Sequence, residues 1–186
     1  DAMSPRHTLQ VRAAVLSHYG EVAKPLGLNP QSMLRKVGLT PRMLASPTAL
    51  IPFKSALTLL EISANESGCD TFGLHLAEAR LLSDFGPISL LLTHQPSMRM
   101  ALQTIVQYRH LLNEALAMHI EDVGKTTLIR EEIISDSPSG TQQSTDMAVG
   151  VLMLIFRAIL GQNWKPQAVH FTHSANRDLQ VHRRIF

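Results

Sequence analysis

The sequence predicts an α+β fold, in which a helix-rich N-terminal half is followed by a small antiparallel sheet packed against helices. Up to about residue 113, apolar residues recur every three or four positions, which is the spacing of helices with one buried face. From Ala115 onward the period changes to two, which is typical of half-buried strands. No linker rich in Pro, Gly or Ser separates the halves. We therefore expect a single domain over residues 1–186, with a helical part at about 1–113 and a sheet-plus-helix part at about 114–186.

The N-terminal half carries a series of helix start signals. A capping side chain or a proline favours the first turn of a helix, and a glycine after the last turn ends it. The first predicted helix places Leu9, Val15 and Val22 on one face, Gly38 ends the second helix, and Gly68 ends a longer one. The predicted starts are, in order, Ser4-Pro5, Asn29-Pro30, Thr40-Pro41, Ile51-Pro52, Asp70, Asp84 and Ser97.

The C-terminal half begins with a predicted β-hairpin. Two alternating segments, 116–120 and 126–134, flank a turn at 122–125, and the second places Glu131 on the same face as Ile129 and Ile133. A polar loop and a helix over about 145–160, ended by Gly161, come next. Residues 167–172 alternate like a third strand. The last residues resemble the start of another strand, so we expect the chain to be a fragment.

Composition excludes several classes of protein. The 17 Lys and Arg residues exceed the 15 Asp and Glu residues by only two, which is too little for a domain that holds nucleic acid by charge alone. Cys69 is the one cysteine, so no internal disulfide is possible. The strongly apolar run 147–156 is about half as long as a membrane-spanning helix. We expect a cytoplasmic globular domain with no membrane association.

No complete catalytic or metal-binding motif is present, so we predict no enzyme, no catalytic residues, no metal and no cofactor. The alternative is a metal-binding or enzymatic domain that uses His170 and His173, because histidines three positions apart can ligate one metal ion. On a strand and its following loop, however, this spacing does not by itself direct both imidazoles to one ion. Adjacent acids such as Glu131 and Glu132 point to opposite faces of a strand, and we expect them to be solvated.

Direct DNA binding by the N-terminal helical segment is a second alternative. No Asp or Glu occurs between Val22 and Leu60, and the order of helices and turns loosely resembles a helix-turn-helix. Met33 and Leu34 nevertheless occupy packing positions in the helix that would have to read bases, which favours a structural role. The basic residues of this segment are Lys24, Arg35, Lys36, Arg42 and Lys54.

The candidate ligand-binding residues are Tyr108, Arg130 and Arg157. Each is a polar group within an otherwise apolar element, and small-molecule sites are mostly apolar with a few polar anchors. The alternative is that Arg130 and Arg157 form ion pairs with Glu131 or Glu132 and so tie the helix to the sheet.

A series of short motifs in a fixed order resembles a known family. The N-terminal motifs are Leu-Arg-Lys-Val-Gly-Leu at 34–39, Phe-Gly-Leu-His-Leu-Ala at 72–77 and Phe-Gly-Pro-Ile at 85–88. The C-terminal motifs are Gly-Gln-Asn-Trp at 161–164 and Val-His-Phe-Thr-His at 169–173. With these motifs the chain resembles the N-terminal, arabinose-binding-like regulatory domain of AraC-type transcriptional regulators.

The resemblance implies a cytoplasmic bacterial regulator whose N-terminal domain senses a small-molecule effector and often forms a homodimer. DNA would then be bound by a C-terminal domain with two helix-turn-helix motifs, beyond Phe186. The effector would act by binding one arrangement of the domain better than another. The subgroup's name does not establish arabinose as the effector, and the resemblance assigns no contact residues.

Overall fold

The computed structural model describes residues 8–135 and 140–186, which form a mainly helical fold with two separate antiparallel strand pairs. The prediction of an α+β fold is confirmed. The strands are β1 (Gln10–Arg12), β2 (Leu50–Pro52), β3 (Leu116–Val123) and β4 (Thr126–Ile133). The helices are α1 (Tyr19–Ala23), α2 (Pro30–Lys36), α3 (Phe53–Ser67), α4 (Phe72–Ala79), α5 (Ile88–Thr93), α6 (Met98–Gln107), α7 (Arg109–Leu112), α8 (Gln142–Leu160) and α9 (Gln180–Ile185).

The prediction of one helix from the N-terminus to Val22 is wrong; Ser4-Pro5 itself lies outside the described residues. Residues 10–12 form β1, which pairs with β2 so that Val11 lies opposite Ile51. A short 3₁₀ turn follows, and His18, with a φ of +67°, separates that turn from α1. A short apolar segment fits helical and extended patterns equally well, and here a strand partner far along the chain decides between them.

The predicted start of α2 is confirmed, whereas the next predicted helix is absent. The Asn29 side chain accepts a hydrogen bond from the Ser32 amide at 3.0 Å, and Gly38 ends the segment with a φ of +73°. Thr40 caps only an isolated turn, in which its hydroxyl accepts from the Met43 amide at 3.3 Å. Pro47 follows soon after, and the residue before a proline disfavours helical geometry, so no helix grows from Thr40-Pro41.

The remaining helix signals of the N-terminal half differ in accuracy. Helix α3 begins directly after Ile51-Pro52 and ends at Gly68, as predicted. The Ser97 hydroxyl accepts from the Met100 amide at 3.2 Å and caps α6, also as predicted. Thr71, rather than Asp70, precedes α4. Asp84 lies within a 3₁₀ turn and not at a helix start, because Gly86 and Pro87 delay α5 to Ile88.

The β3–β4 hairpin and α8 are confirmed, but the strands predicted after α8 are wrong. Val123 pairs with Thr126 across a turn in which Gly124 has a φ of +62°. Residues 167–172 are irregular, since alternation without an available partner strand does not form a sheet. The last residues form α9, where Val181 and Ile185 are four positions apart and face the same side of the helix.

Helix α8 lies at the centre of the fold and contacts α3, α4, α5, α6 and β4. Two glycines permit its close approach to α4. A Cβ atom on Gly73 would collide with the main-chain oxygen of Gln143, and one on Gly150 would lie 2.7 Å from the Cβ of Ala77. By length and composition alone α8 could span a membrane. In this fold, residues such as Met153 and Phe156 bury one of its faces in the protein core.

Candidate functional site

A cavity of about 270 Å³ lies between the β3–β4 hairpin and the helices of the N-terminal half. Its walls come from β1 and the turn after it, from α3, from the loop over residues 80–87, from the hairpin and from the N-terminal part of α8. Segments distant in sequence therefore meet around one space. Most of the lining side chains are apolar, for example Leu57, Leu60, Met118, Met147 and Val151.

The buried cation of this cavity is Arg80, the residue that follows α4. Its side chain lines the cavity, although the residue as a whole is only 5% exposed. The guanidinium lies 4.6 Å above the ring of Phe85, a cation–π contact, and its Nε has no hydrogen-bond partner among the described residues. Burial lowers the pKa of Arg80 to about 10, against the opposing effect of the Asp84 charge. The group is therefore still protonated at neutral pH.

Asp84, the acid that acts on Arg80, is committed to other partners. Its carboxylate accepts hydrogen bonds from the Leu81 amide at 2.7 Å and from His18 Nε2 at 2.9 Å. Hydrogen bonds from His18 to Glu21 and to Asp84 raise the pKa of His18, against its partial burial. When His18 is protonated, it forms an ion pair with Asp84 at 2.9 Å, whereas among the described side chains no ion pair joins Asp84 to the guanidinium of Arg80.

A second titratable group, Glu131 of β4, projects into the same cavity. Its Oε2 is buried and has no hydrogen-bond partner within the described part of the chain. Burial raises the pKa of Glu131 to about 7, so the carboxyl group is partly protonated at neutral pH. The prediction that Glu131 is solvated is wrong, because α8 covers the face of the hairpin on which Glu131 lies. Glu132, on the opposite face, is exposed as predicted.

The three ligand-binding residues predicted from the sequence lie outside this cavity. Tyr108 is half-buried in the apolar cluster around α5, α6 and α8. Arg130 is exposed and forms an ion pair with Glu121 at 3.2 Å, and Arg157 donates from Nε to the Trp164 carbonyl at 3.4 Å. The alternative pairing with Glu131 or Glu132 is not formed. No sequence motif distinguishes Arg80 from these arginines, and it differs from them in its burial.

The two histidines of the metal-binding alternative have different surroundings. His170 is exposed, whereas His173 donates from Nε2 to the buried carboxylate of Asp146 at 2.7 Å. Over residues 8–135 and 140–186, no group of three or more His, Cys, Asp or Glu side chains is arranged to hold a metal ion. His173 instead attaches the segment after α8 to α8 itself.

The basic N-terminal segment does not form a helix-turn-helix. Met33 and Leu34 of α2 are buried, and only turns follow where a second helix would be needed. Lys36 donates to Glu66 of α3 at 2.7 Å, so part of the positive charge is already paired. The geometry required for reading a DNA groove with this segment is therefore missing from it.

Comparison with protein families identifies the fold. Residues 27–186 match the family model described as the arabinose-binding domain of AraC transcription regulator, N-terminal. The chain belongs to this family. The match includes Arg80, Glu131 and α8, while β1 and the turn after it, which form one wall of the cavity, precede the matched residues. The resemblance inferred from the sequence motifs is thereby confirmed.

A curated transcription regulator is similar to this chain over most of the chain's length. The HTH-type transcriptional regulator VirS of Mycobacterium tuberculosis, in strains CDC 1551 / Oshkosh and ATCC 25618 / H37Rv, is 22% identical to this chain over 166 residues. The aligned region covers 88% of this chain and 49% of VirS. The chain thus spans about half the length of the curated relatives it matches.

Proposed function

We propose that this domain is the effector-sensing part of a cytoplasmic bacterial AraC-type regulator, and that a small organic effector binds in the cavity beside α8. The observation that carries the proposal is an apolar cavity containing the buried guanidinium of Arg80, whose Nε has no hydrogen-bond partner among the described residues. Apolar cavities with a few convergent polar groups are typical of small-molecule sites. A sensing role requires no catalytic residue, so the domain is not proposed to be an enzyme.

The placement of the cavity suggests how binding is communicated. Its walls combine β1, the 80–87 loop, the hairpin and α8, so a ligand that contacts all of them favours the arrangement in which they fit it best. A ligand shifts such an equilibrium only by its difference in affinity for the two arrangements. We propose that this shift is transmitted to a helix-turn-helix domain after Phe186, which binds DNA, and to a homodimer contact. The alignment covers only 49% of VirS, so this relative has room for a further domain, which supports the proposal of a second domain.

Effector binding is tested by thermal unfolding of the 186-residue chain against a broad set of metabolites. We expect at least one compound to raise Tm in a concentration-dependent way, because a ligand that binds only the native state stabilises it. The variant Ala148→Phe places a large side chain in the cavity wall and should abolish this shift. Ala158→Phe is the matched control on the exposed face of the same helix and should retain it. If no compound raises Tm, or if Ala148→Phe retains the full shift, the cavity is not the sensing site.

Dimerisation is tested separately by sedimentation of the same chain with and without a stabilising compound. A monomer–dimer equilibrium whose constant changes with the ligand supports the proposed homodimer. A strict monomer at tens of micromolar under both conditions contradicts dimerisation through this domain.

A further inference from the structure

We infer that the cavity binds a monocarboxylate with an apolar body, and that the guanidinium of Arg80 holds the carboxylate. This inference deepens the proposed function and rests on it. The surroundings of Arg80, the other charged groups of the cavity and its apolar walls all favour such a ligand.

The first step concerns the missing counter-charge. A buried guanidinium is costly unless an anion pairs with it, and its planar N–H groups fit a carboxylate through two parallel hydrogen bonds. Arg80 is 5% exposed, and its Nε has no partner among the residues that the structure describes. Asp84, which is near enough to act on its charge, is hydrogen-bonded to His18 and to the Leu81 amide. The position beside Arg80 therefore suits an anion supplied from outside the chain.

The second step concerns the charge of that anion. Glu131 lines the same cavity, and its buried Oε2 has no hydrogen-bond partner within residues 8–135 and 140–186. A dianion such as a phosphate monoester would need further donors and would face this acidic group, whereas a monoanion requires only the one guanidinium. When protonated, Glu131 can donate a hydrogen bond to a ligand oxygen. These groups favour a monocarboxylate over a phosphate.

The third step concerns the body of the ligand. Beyond Arg80 the cavity wall consists largely of aliphatic side chains from α3, β3 and α8, among them Leu57, Met118 and Val151. A strongly hydroxylated molecule would leave its hydroxyl groups without partners against such a surface, and burying unpaired hydroxyls is costly. An alkyl or aryl chain is compatible with it. A cavity of about 270 Å³ corresponds to a small ligand, so medium-length chains are the appropriate probes.

Matched probes test this inference by calorimetry and thermal unfolding of the 186-residue chain. Octanoate and 3-phenylpropionate carry the carboxylate on an aliphatic and an aromatic body. Octanamide, octan-1-ol and octyl phosphate keep the aliphatic body and change the head group. We expect at least one carboxylate to bind about tenfold or more tightly than the amide and the alcohol, since a charge-assisted hydrogen bond contributes at least that much.

Substitutions of single arginines test which of them binds the carboxylate of the ligand. Arg80→Gln should weaken carboxylate binding about tenfold or more and leave binding of the alcohol unchanged. Arg177→Gln, at an exposed arginine outside the cavity, is the control and should change neither affinity. Arg12→Gln removes a more exposed arginine of the cavity wall and should have the smaller effect on carboxylate binding. Loss of binding in Arg12→Gln with full binding in Arg80→Gln would overturn the assignment of the anchor.

A purely structural role for Arg80 and a ligand-binding role predict different Tm values for a ligand-free variant that lacks the guanidinium. If its contact with Phe85 stabilises the fold, Arg80→Met should lower Tm. Under our inference the apolar side chain replaces an unpaired buried charge, and we expect Tm of the ligand-free protein to stay equal or rise. A lower Tm together with unchanged carboxylate binding would overturn the inference.

The possible failures are distinguishable. Equal binding of octanoate, octanamide and octan-1-ol would contradict the carboxylate class and leave the cavity as a ligand site. If other metabolites raise Tm but no carboxylate binds, the carboxylate class is likewise contradicted and the cavity remains a ligand site. Failure of every probe and every metabolite would contradict both the inference and the proposed function.

Discussion

Two regions of this domain bury polar groups in opposite ways. At the junction of α4 and α8, the Gln143 side chain accepts from the Gly73 amide at 2.8 Å and donates to the Asp70 carbonyl at 3.0 Å. The main-chain amide of Gln143 donates to the Glu61 carboxylate at 2.9 Å. In the cavity, on another side of α8, Arg80 Nε and Glu131 Oε2 are buried without hydrogen-bond partners in the part of the chain that the structure describes.

The difference indicates which region is structural and which is built for a ligand. Buried polar groups in proteins are almost always hydrogen-bonded, so a site that departs from this rule needs an explanation. Even at the junction Asp146 keeps one oxygen without a partner, but its other oxygen is bonded to His173. Arg80 donates from Nε to no counter-charge among the described residues, although the charge of Asp84 acts on it.

The largest effect is expected for Gly73→Ala at the junction. The new Cβ would collide with the Gln143 main-chain oxygen, which cannot move without shifting α8. We expect a loss of about 3 kcal/mol or more in the free energy of unfolding, measured by urea denaturation. Gly20→Ala is the control, because its Cβ would meet Pro30 at an ordinary 3.8 Å. If both variants are equally stable, the junction is not tightly packed.

His173→Ala should be the next most harmful change. It removes the partner of the buried Asp146 carboxylate and should cost about 2 to 4 kcal/mol of unfolding free energy near pH 6. Burial lowers the pKa of His173, but hydrogen bonds to Ser174 and Asp146 outweigh this effect and raise it overall.

The loss of unfolding free energy caused by His173→Ala should decrease as the pH rises. Because the pKa of His173 is higher in the folded state than in the unfolded state, protonated His173 stabilises the fold below pH 6.5. That contribution disappears as the pH rises through the folded-state pKa. The difference between wild type and His173→Ala should therefore shrink toward alkaline pH, and a difference that grows instead would contradict this assignment. His170→Ala, at an exposed neighbour, is the control.

In the cavity, Glu131→Gln should stabilise the protein at alkaline pH. Burial raises the pKa of Glu131 from the ordinary 4.5 to about 7, so the folded state holds the proton more tightly than the unfolded state does. Wild-type stability should therefore fall between about pH 4.5 and pH 7, and glutamine should avoid this loss.

We expect the free energy of unfolding of Glu131→Gln to exceed that of wild type by about 1 to 3 kcal/mol at pH 8 and to equal it below pH 4.5. Other titratable groups are unchanged in the variant, so the difference between the two pH profiles isolates Glu131. Glu132→Gln, on the exposed face, should show no such profile. Parallel profiles for wild type and Glu131→Gln would mean that this carboxyl group is solvated.

The smallest effect is expected for Arg130→Gln. Its ion pair with Glu121 is exposed on both sides, and exposed pairs contribute little. We expect a change of about 0.5 kcal/mol or less in unfolding free energy, measured in urea. A larger change would show that the hairpin surface contributes more than its exposure suggests.

Local sequence signals predicted those parts of the fold that depend on near neighbours. The two ends of α3, the Ser97 cap of α6, the hairpin with Gly124 in its turn and the end of α8 at Gly161 follow from caps, glycines and periodicity. These features were predictable because the partners of each hydrogen bond lie within a few residues.

Local sequence signals predicted only part of the candidate site. The alternating pattern placed Glu131 with Ile129 and Ile133, which was a signal that this acid faces the core. Arg80 offered no comparable signal, because an arginine after a helix is ordinarily exposed. Tyr108, Arg130 and Arg157 were predicted instead because each is a polar residue within an apolar element. Ligand binding by these three residues stays a prediction.

Local periodicity and motif order were enough to predict the α+β class, the family and several helix boundaries, such as the start of α2 and both ends of α3. Only the tertiary structure decided that residues 10–12 form a strand with residues 50–52 and that residues 167–172 form none. It also decided that Arg80 and Glu131 line one cavity. Strand pairing and burial depend on segments that are distant along the chain, and the pattern of neighbouring residues does not specify which distant segments will meet.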